Sequence, residues 1–301
     1  MSKELDTYVD KDVVNHFSGL INDLAPHEIN IIIFGKEILD TVNIFNFKEL
    51  LPSSLKISAA PWIETNKEDI NTVNRLINFL KEERSLVTVK KEWLDIKGDE
   101  KVSLRDIMHS GANIQVVDNI LDAMVIASKK RRNNVVFPVK GYEDEALITA
   151  AGLAKAKTVG FRRFYVLQHH RSTPATVRFL ACENKSVGFL IPLKTALNTG
   201  SEKYSEIPLF YKKGVVFSGY QAAEIMQSIY LLVAQHINKK PEVVFQRTKE
   251  VSEDVITRAQ WMIDEVFEYE DILISKEKKI SKGAMKIREK YKMFDASVIG
   301  L

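Results

Sequence analysis

The 301-residue chain is long enough for one large or two ordinary α/β domains, and its hydrophobic fraction of 45% is typical of a globular protein. Its formal net charge is only +3, both signs are spread along the chain and no recognition motif is present, which argues against a nucleic-acid-binding protein. No apolar run approaches the roughly 18 residues that a membrane-spanning helix needs, so no membrane partner is expected.

The one cysteine, Cys182, excludes an internal disulfide framework and a metal site built mainly of thiolates. Because Val177, Phe179 and Leu180 lie beside it on a predicted helix, we expect Cys182 to be a small buried side chain. The first residues, MSKELDTYVDKDVV, include acids where a secretory signal peptide would be basic and then apolar. A cytoplasmic location is therefore expected.

Short apolar runs that end at glycine, proline or polar residues predict buried strands, and segments of helical periodicity lie between them. The predicted strands are residues 29–34, 55–59, 86–89, 114–117, 135–139, 164–167, 187–191 and 215–217. The predicted helices are residues 1–28, 68–83, 103–110, 120–130, 143–159, 177–182, 222–236, 253–267 and 285–293.

Strands that alternate with helices indicate parallel sheets with helices on both faces. We therefore predict an α/β fold with two parallel-sheet α/β domains, residues 1–131 and residues 132–240. The remaining residues, 241–301, are expected to form a helical segment that packs back on the core.

Polar residues gather where two consecutive predicted strands, 135–139 and 164–167, reach their C-terminal ends. The helix between them begins with acids, which a helix N-terminus favours, and ends at Gly160. Open parallel sheets bind ligands at the carboxyl ends of their strands, so this edge is the best candidate site. The residues at these ends are Lys140, Gly141, Glu143, His169, His170 and Arg171.

Several motifs along the chain occur in the order that they have in one protein family. GANIQVVDNILDAMVIA followed by NVVFPVKGYEDEA resembles the Leu-Asp-Ala-Leu helix and the Val-Val-Phe strand of the HypD hydrogenase maturation factors. FRRFYVLQHHRSTPA is similar to the family's His-Lys-x-x-Pro-Pro-Ala segment. VGFLIPLKTALNTGSEKY, VVFSGYQAAEIMQSIYLLVAQ and AQWMIDEVFE fit further segments, and the resemblance extends from about residue 29 to residue 296.

The resemblance implies a HypD-like fold and a role in metallocentre assembly. HypD proteins help to assemble the iron centre, with its cyanide and carbon monoxide ligands, of [NiFe]-hydrogenases. In that family, cysteine thiols hold iron and a C-terminal cysteine cluster holds an iron–sulfur cubane. Soft sulfur ligands suit this task because they bind iron and exchange electrons through disulfide chemistry.

The sequence departs from the family at each of these cysteines. The family's Cys-Gly-x-His-Thr motif falls on residues 35–39 and its Gly-Pro-Gly-Cys-Pro-x-Cys loop on residues 58–63, and neither stretch contains a thiol. The Gly-His-Val-Ser and Gly-Phe-Glu-Pro motifs become residues 193–196 and 219–222, and the chain ends soon after Ala296, where the cysteine-rich tail would begin. We therefore expect that the family's iron and iron–sulfur cluster are lost and that no cofactor is bound.

The expected site is a ligand-binding cleft between the two domains. Its basic side chains are open to two readings, an anion pocket at the domain interface or ordinary solvated charges. Glu143 and His169 match family positions, and Lys194 aligns with a family histidine. Ordinary structural roles remain open: any helix start favours an acid such as Glu143, and His169 can serve as a hydrogen-bonding group. The residues of this expected cleft are Lys140, Gly141, Glu143, His169, His170, Arg171, Lys194 and Gly219.

Three functions remain open on these observations. The first is a HypD-like scaffold, without the family's cysteines, that binds another maturation protein in hydrogenase or metallocentre maturation. The second is an enzyme or a small-molecule or anion-binding protein that reuses the cleft, since fold alone does not determine function. The third is a metal carrier with His169, Glu143 and His170 as ligands, although no metal site is expected. Catalytic residues are not assigned, and the chain is not expected to be an enzyme.

Overall fold

A computed structural model describes residues 2–24, 27–183, 186–246, 253–274 and 278–301, with side chains from residue 11 onward. The architecture is α/β, with parallel sheets that are flanked by helices, as the alternation of strands and helices predicts.

The chain folds into two compact units, and each unit is made of two separate stretches of sequence. The first unit comprises Met1–Glu64 and Thr173–Thr257, and the second comprises Thr65–Ser172 and Arg258–Leu301.

The first unit contains a five-stranded parallel sheet with the strand order β2-β1-β7-β8-β9. Its strands are β1 (Ile29–Ile33), β2 (Leu55–Ala59), β7 (Gly188–Pro192), β8 (Gly214–Ser218) and β9 (Val243–Phe245). Its helices are α1 (Ser2–Asp23), α2 (Lys36–Ile44), α3 (Phe47–Leu50), α8 (Thr173–Cys182), α9 (Leu193–Thr199), α10 (Glu206–Tyr211) and α11 (Ala222–Ile237). A short 3-10 helix, Ser201–Tyr204, lies between α9 and α10.

The core of the first unit forms where apolar faces of α1 and α11 meet one face of this sheet. Ile31 and Ile33 of β1 are fully buried, and they belong to the same apolar cluster as Ile21 of α1 and Ile229 of α11. The alternation of side chains along a strand explains why Ile31 and Ile33 share that face while Ile32 does not.

The second unit contains a four-stranded parallel sheet with the strand order β4-β3-β5-β6 and a separate antiparallel hairpin. Its strands are β3 (Ser85–Val89), β4 (Ile114–Val116), β5 (Asn134–Gly141), β6 (Phe164–His170), β10 (Phe267–Leu273) and β11 (Lys279–Ile287). Its helices are α4 (Lys67–Phe79), α5 (Leu104–His109), α6 (Ile120–Lys129) and α7 (Glu143–Val159); α12 (Glu253–Val266) begins in the first unit and continues into the second. The 3-10 helices are Lys91–Trp93, Glu289–Phe294 and Ala296–Ile299.

Both faces of the second sheet are buried, which explains the continuous apolar runs in its strands. Val135 and Phe137 point into a cluster with α6 and α7, whereas Val136 between them points into a cluster with α4 and Trp93. Each of these side chains is at most 1% exposed.

The C-terminal segment differs from the helical segment expected over residues 241–301. After α12, the chain forms the β10–β11 hairpin, and the predicted helix at residues 285–293 is wrong. Met285 and Ile287 are buried while Lys286 between them is exposed, which is the period of a strand. Hydrogen bonds hold β11 beside the end of β6: the Gln168 side-chain amide donates to the Met285 carbonyl at 2.8 Å.

The division of the chain also differs from the expected boundaries near residues 131 and 240. The reason is that β1, which comes early in the sequence and pairs with β2 on one side, pairs on its other side with β7 rather than with β3. The chain therefore leaves the first unit after Glu64 and returns to it at Thr173. Strand order along a sequence does not reveal which strands share a sheet, because a crossover connection between parallel strands can be long enough to include the strands of another sheet.

Candidate functional site

The strands β5 and β6 end side by side, and this brings the predicted polar residues of the second unit to one edge. Lys140 pairs with His169 and Gly141 with His170 in the parallel register. Helix α4 meets this edge with its first turn. Asn66 caps α4, and its side-chain oxygen accepts from the backbone N–H of Glu68 at 2.8 Å.

The guanidinium of Arg171 forms a two-pronged ion pair with the Glu68 carboxylate. Its Nη2 donates to Oε1 at 2.7 Å and to Oε2 at 2.5 Å, and Arg171 is 5% exposed. Charge-assisted bonds of this kind are among the stronger hydrogen bonds in proteins. The backbone N–H of Arg171 donates to the Gly141 carbonyl at 2.8 Å, so this arginine joins the ends of both strands to α4.

The imidazole of His169 lies between two side chains of α4. Its Nδ1 is 3.2 Å from Oε1 of Glu68, and its Nε2 is 2.9 Å from the hydroxyl of Thr72. Burial alone would raise the pKa of the Glu68 carboxyl, but the hydrogen bonds and charges of His169 and Arg171 outweigh it and lower that pKa to about 2. Glu68 is therefore ionised throughout the physiological range.

Lys140 is neutralised in the same way by the second acid of α4. Its Nζ donates to Oδ2 of Asp69 at 2.6 Å, and the Asp69 side chain is only 2% exposed. The Lys140 ammonium also lies 5.6 Å from the centre of the Trp93 ring, within the range of a cation–π contact. Because both Lys140 and Arg171 have carboxylate partners, this edge lacks the excess positive charge that the expected anion pocket requires.

The ring of His170 is completely buried and packs edge to face against Phe267, with 5.3 Å between ring centres. Burial, followed by the nearby positive charges of His169 and Arg171, lowers the pKa of His170 to about 3. The structure therefore does not support the positive character expected of His170. A neutral buried imidazole stabilises packing here and adds no charge to the edge.

Gly141 and Glu143 occupy the turn into α7. Gly141 has φ +140°, and a Cβ at this position would lie 2.8 Å from Cγ of Glu145, so the turn requires glycine. Glu145 in turn binds Lys90, at the end of β3, at 2.7 Å. Glu143 is 2% exposed. Burial of Tyr269 on β10 raises the pKa of its phenol, and the negative charge of Glu143 is the second-largest cause of that increase.

The other two residues of the expected cleft, Lys194 and Gly219, belong to the first unit. Lys194 is exposed in the first turn of α9. The backbone N–H of Gly219 donates to the side-chain oxygen of Gln246 at 3.2 Å. That these residues share one interdomain cleft with Lys140 and His169 stays a prediction.

The expected burial of Cys182 is wrong, because this side chain is exposed at the end of α8. Val177 and Ala181 fill the buried face of that helix, and Cys182 follows them on another face. A hydrogen bond with the Cys182 thiol raises the pKa of Tyr211.

The residues do not fit the iron that the family resemblance implies. In the part of the chain that the structure describes, no group of three or more His, Cys, Asp or Glu side chains is placed to hold a metal ion. Both ring nitrogens of His169 already face Glu68 and Thr72, and residues 35–39 and 58–63 offer no thiolate.

Within the described ranges, no helix is both long and apolar enough to cross a membrane.

Several side chains of this edge were not predicted from the sequence. An Asn-x-x-Asp pattern at residues 66–69 is a helix-capping signal and could have located the start of α4. No local pattern indicates that the first turn of α4 meets β5 and β6, because that contact joins residues far apart in sequence. The unpredicted side chains are Glu68, Asp69, Thr72, Lys90, Trp93 and Glu145.

Comparison with known proteins gives one consistent result. The profile of the family described as "HypD: Hydrogenase formation hypA family" matches residues 14–299. The chain is similar to a provisionally named hydrogenase expression/formation protein of Methanocaldococcus jannaschii, with 27% identity over 85% of this chain and 71% of the relative. It is also similar to the hydrogenase maturation factor HypD of Cupriavidus necator (26% identity; 85% and 70% covered) and of Rhizobium leguminosarum bv. viciae (24%; 98% and 79%).

Proposed function

Because the chain belongs to the HypD family, we propose that it is a hydrogenase maturation factor that acts as a scaffold and does not use the family's thiol and iron–sulfur chemistry. Relatives over most of its length are named hydrogenase maturation factors or hydrogenase expression/formation proteins. In this proposal, the chain binds another maturation protein in the cytoplasm and positions it for metallocentre assembly.

The observation that carries the proposal is the family match over residues 14–299 in a sequence whose only cysteine is Cys182. Cys182 lies at the end of α8, outside both segments that align with the family's cysteine motifs. A redox-active pair needs two thiols, and the remaining polar residues cannot exchange electrons through disulfide chemistry.

The charged edge of the second unit supports a positioning role rather than catalysis. The pairs Glu68–Arg171 and Asp69–Lys140 join α4 to the ends of β5 and β6, so the edge is held in one arrangement by partly buried, charge-assisted bonds. The same pairing does not favour an anion-binding pocket at this edge, and a metal carrier that uses His169 and Glu143 lacks support.

The proposal is tested by isolating the protein from its source organism without oxygen, through a tag that does not bind metal. We expect another hydrogenase formation protein to co-purify with it, and we expect no near-stoichiometric iron on the chain itself. A mock purification from the untagged strain is the control. Near-stoichiometric iron that survives gel filtration, or the absence of every hydrogenase formation protein from the eluate, would overturn the proposal.

A further inference from the structure

A cavity of about 590 Å³, with several charged and polar side chains in its lining, lies at the amino-terminal edge of the first unit's sheet. It opens where β1, β7 and β8 begin, whereas ligands of open α/β sheets usually bind at the opposite, carboxyl edge. All of its lining residues belong to the first unit, whereas the charged edge of β5 and β6 belongs to the second. The residues that line the cavity are Glu28, Ile29, Asn30, Lys56, Ser58, Ser186, Val187, Tyr211, Lys212, Lys213 and His236.

Two of the lining side chains are buried polar groups without a hydrogen-bond partner among the described residues. Lys213, just before β8, is 4% exposed, and Ser186, just before β7, is 8% exposed. In the described ranges, neither the Lys213 Nζ nor the Ser186 Oγ has a hydrogen-bond partner. Buried polar atoms are nearly always satisfied in native proteins, and an unsatisfied group commonly marks a missing ion or ligand. The case is strongest for Lys213, because an unpaired buried charge costs far more than an unpaired hydroxyl.

The charge of the cavity lining indicates what would satisfy these groups. Besides Lys213, the lining includes Lys56 and Lys212, against one acid, Glu28. Burial lowers the pKa of the Lys213 ammonium, and the nearby Cys182 thiol opposes that shift only in part. A bound water could satisfy Ser186, but water does not neutralise the charge of Lys213. An anion does both, because its oxygens accept from the hydroxyl and the ammonium.

We propose that this cavity binds a small molecule that carries an oxyanion, a phosphate or a carboxylate group, with Lys213 as its counter-ion and Ser186 as a hydrogen-bond donor. The volume is in the range of metabolite-binding pockets and exceeds what a bare inorganic ion needs. Lys56 and Lys212 lie on the lining where a second polar group of the same molecule would be bound. The inference does not depend on the role in hydrogenase maturation.

Isothermal titration calorimetry of the full-length protein tests the inference with two probes, sodium phosphate and sodium succinate, each at ionic strength held constant with chloride. We expect saturable binding of at least one probe. Phosphate binding alone would identify a phosphate-bearing ligand, and succinate binding alone a carboxylate. Lys213→Met should weaken that binding about tenfold or more, because it removes the charged donor and keeps the length of the side chain. Lys48→Met, which changes an exposed lysine of the same unit outside the cavity, should leave it unchanged.

Two further measurements separate binding from folding. Ser186→Ala should weaken the same probe about threefold, and it serves in place of Lys213→Met should that variant lose its native circular dichroism. In buffer without either anion, Lys213→Met should be at least as stable to heat as the wild type, since it removes an uncompensated buried charge. The inference is overturned when neither probe binds saturably, or when a folded Lys213→Met protein binds as the wild type does.

Discussion

Glu68 holds the charged edge of the second unit together, because its one carboxylate binds both Arg171 and His169. Its low pKa has a direct consequence for stability. The pKa in the folded protein is about 2, below the ordinary value of 4.5, so the folded state favours the ionised form. The stabilisation is present in full above about pH 4.5 and is lost as the pH falls toward 2.

Replacing this carboxylate isolates its contribution. Glu68→Gln leaves the Arg171 charge buried without its carboxylate partner, so we expect the second unit to lose about 1–3 kcal/mol of stability, a value reduced for the partial exposure of Glu68. Urea unfolding at pH 7 measures this loss. The matched control is Asp95→Asn, which breaks an exposed pair with Arg105 in the same unit and should have a much smaller effect. Equal effects of the two substitutions would contradict the role assigned to Glu68.

Burial of His170 predicts a second pH dependence of stability, at higher pH. Its folded-state pKa of about 3 lies below the ordinary 6.5, so the unfolded state binds more protons between these values and stability falls as the pH falls. From pH 6.5 to pH 5 this loss is on the order of 2 kcal/mol. His170→Phe, which keeps a ring against Phe267, should remove most of that pH dependence.

Urea unfolding at the two pH values tests the His170 prediction. The control is His109→Phe, which replaces an exposed histidine of the same unit and should keep the wild-type pH dependence. An unchanged slope in the His170 variant would show that this buried ring does not cause the effect.

Helix α7 depends on glycine at both of its ends, and the two positions differ in an informative way. Gly141 and Gly160 both have positive φ angles, but a Cβ at Gly141 would contact Glu145 at 2.8 Å, whereas a Cβ at Gly160 would meet no atom within 4 Å. Gly160→Ala should cost about 1 kcal/mol through backbone strain alone. Gly141→Ala should cost about 1–3 kcal/mol more, since the turn between β5 and α7 must also move.

Hydrogen exchange of the amides in β5 and α7 reports this difference locally. We expect Gly141→Ala to lower protection in both elements and Gly160→Ala to lower it mainly at the last turn of α7. Equal loss of protection in the two variants would contradict the close packing described at Gly141.

Most of the parallel strands could be predicted because both of their faces are buried. The run INIIIF predicts β1 with an error of one residue, and residues 187–191 predict β7, which is buried at every position, with its bounds shifted by one. The hairpin was missed since neither strand has a long apolar run: Phe267 and Ile287 are buried, but Glu268 and Lys286 beside them are exposed. Its position depends on hydrogen bonds to β6, and no local sequence pattern encodes those.

Local sequence patterns also predict the candidate site only in part. Local patterns place Lys140, His169 and Arg171 at strand ends, and the structure puts them at one edge. The sequence does not reveal that Glu68 and Asp69, more than sixty positions away, neutralise them. The basic side chains at this edge are thus part of a charge-balanced cluster, and the sequence does not show this because the balance depends on long-range contacts.

At the scale of the whole molecule, the two units each draw on an early and a late stretch of the chain. The sheet of the first unit is completed only after residue 243, when β9 joins β8. Pairing of distant strands requires the closure of long loops, so the first sheet is expected to form late in folding. The family match covers both units, so the proposed scaffold function concerns the whole chain rather than either unit.

The central claim, hydrogenase maturation without thiol chemistry, is tested most directly by gene deletion and complementation in the source organism, with hydrogenase activity as the readout. We predict that deletion abolishes the activity and that wild type and Cys182→Ser restore it equally, while Glu68→Gln restores it less than its control Asp95→Asn. Activity that is unaffected by the deletion, or a Cys182→Ser protein that accumulates normally but fails to restore it, would contradict the claim.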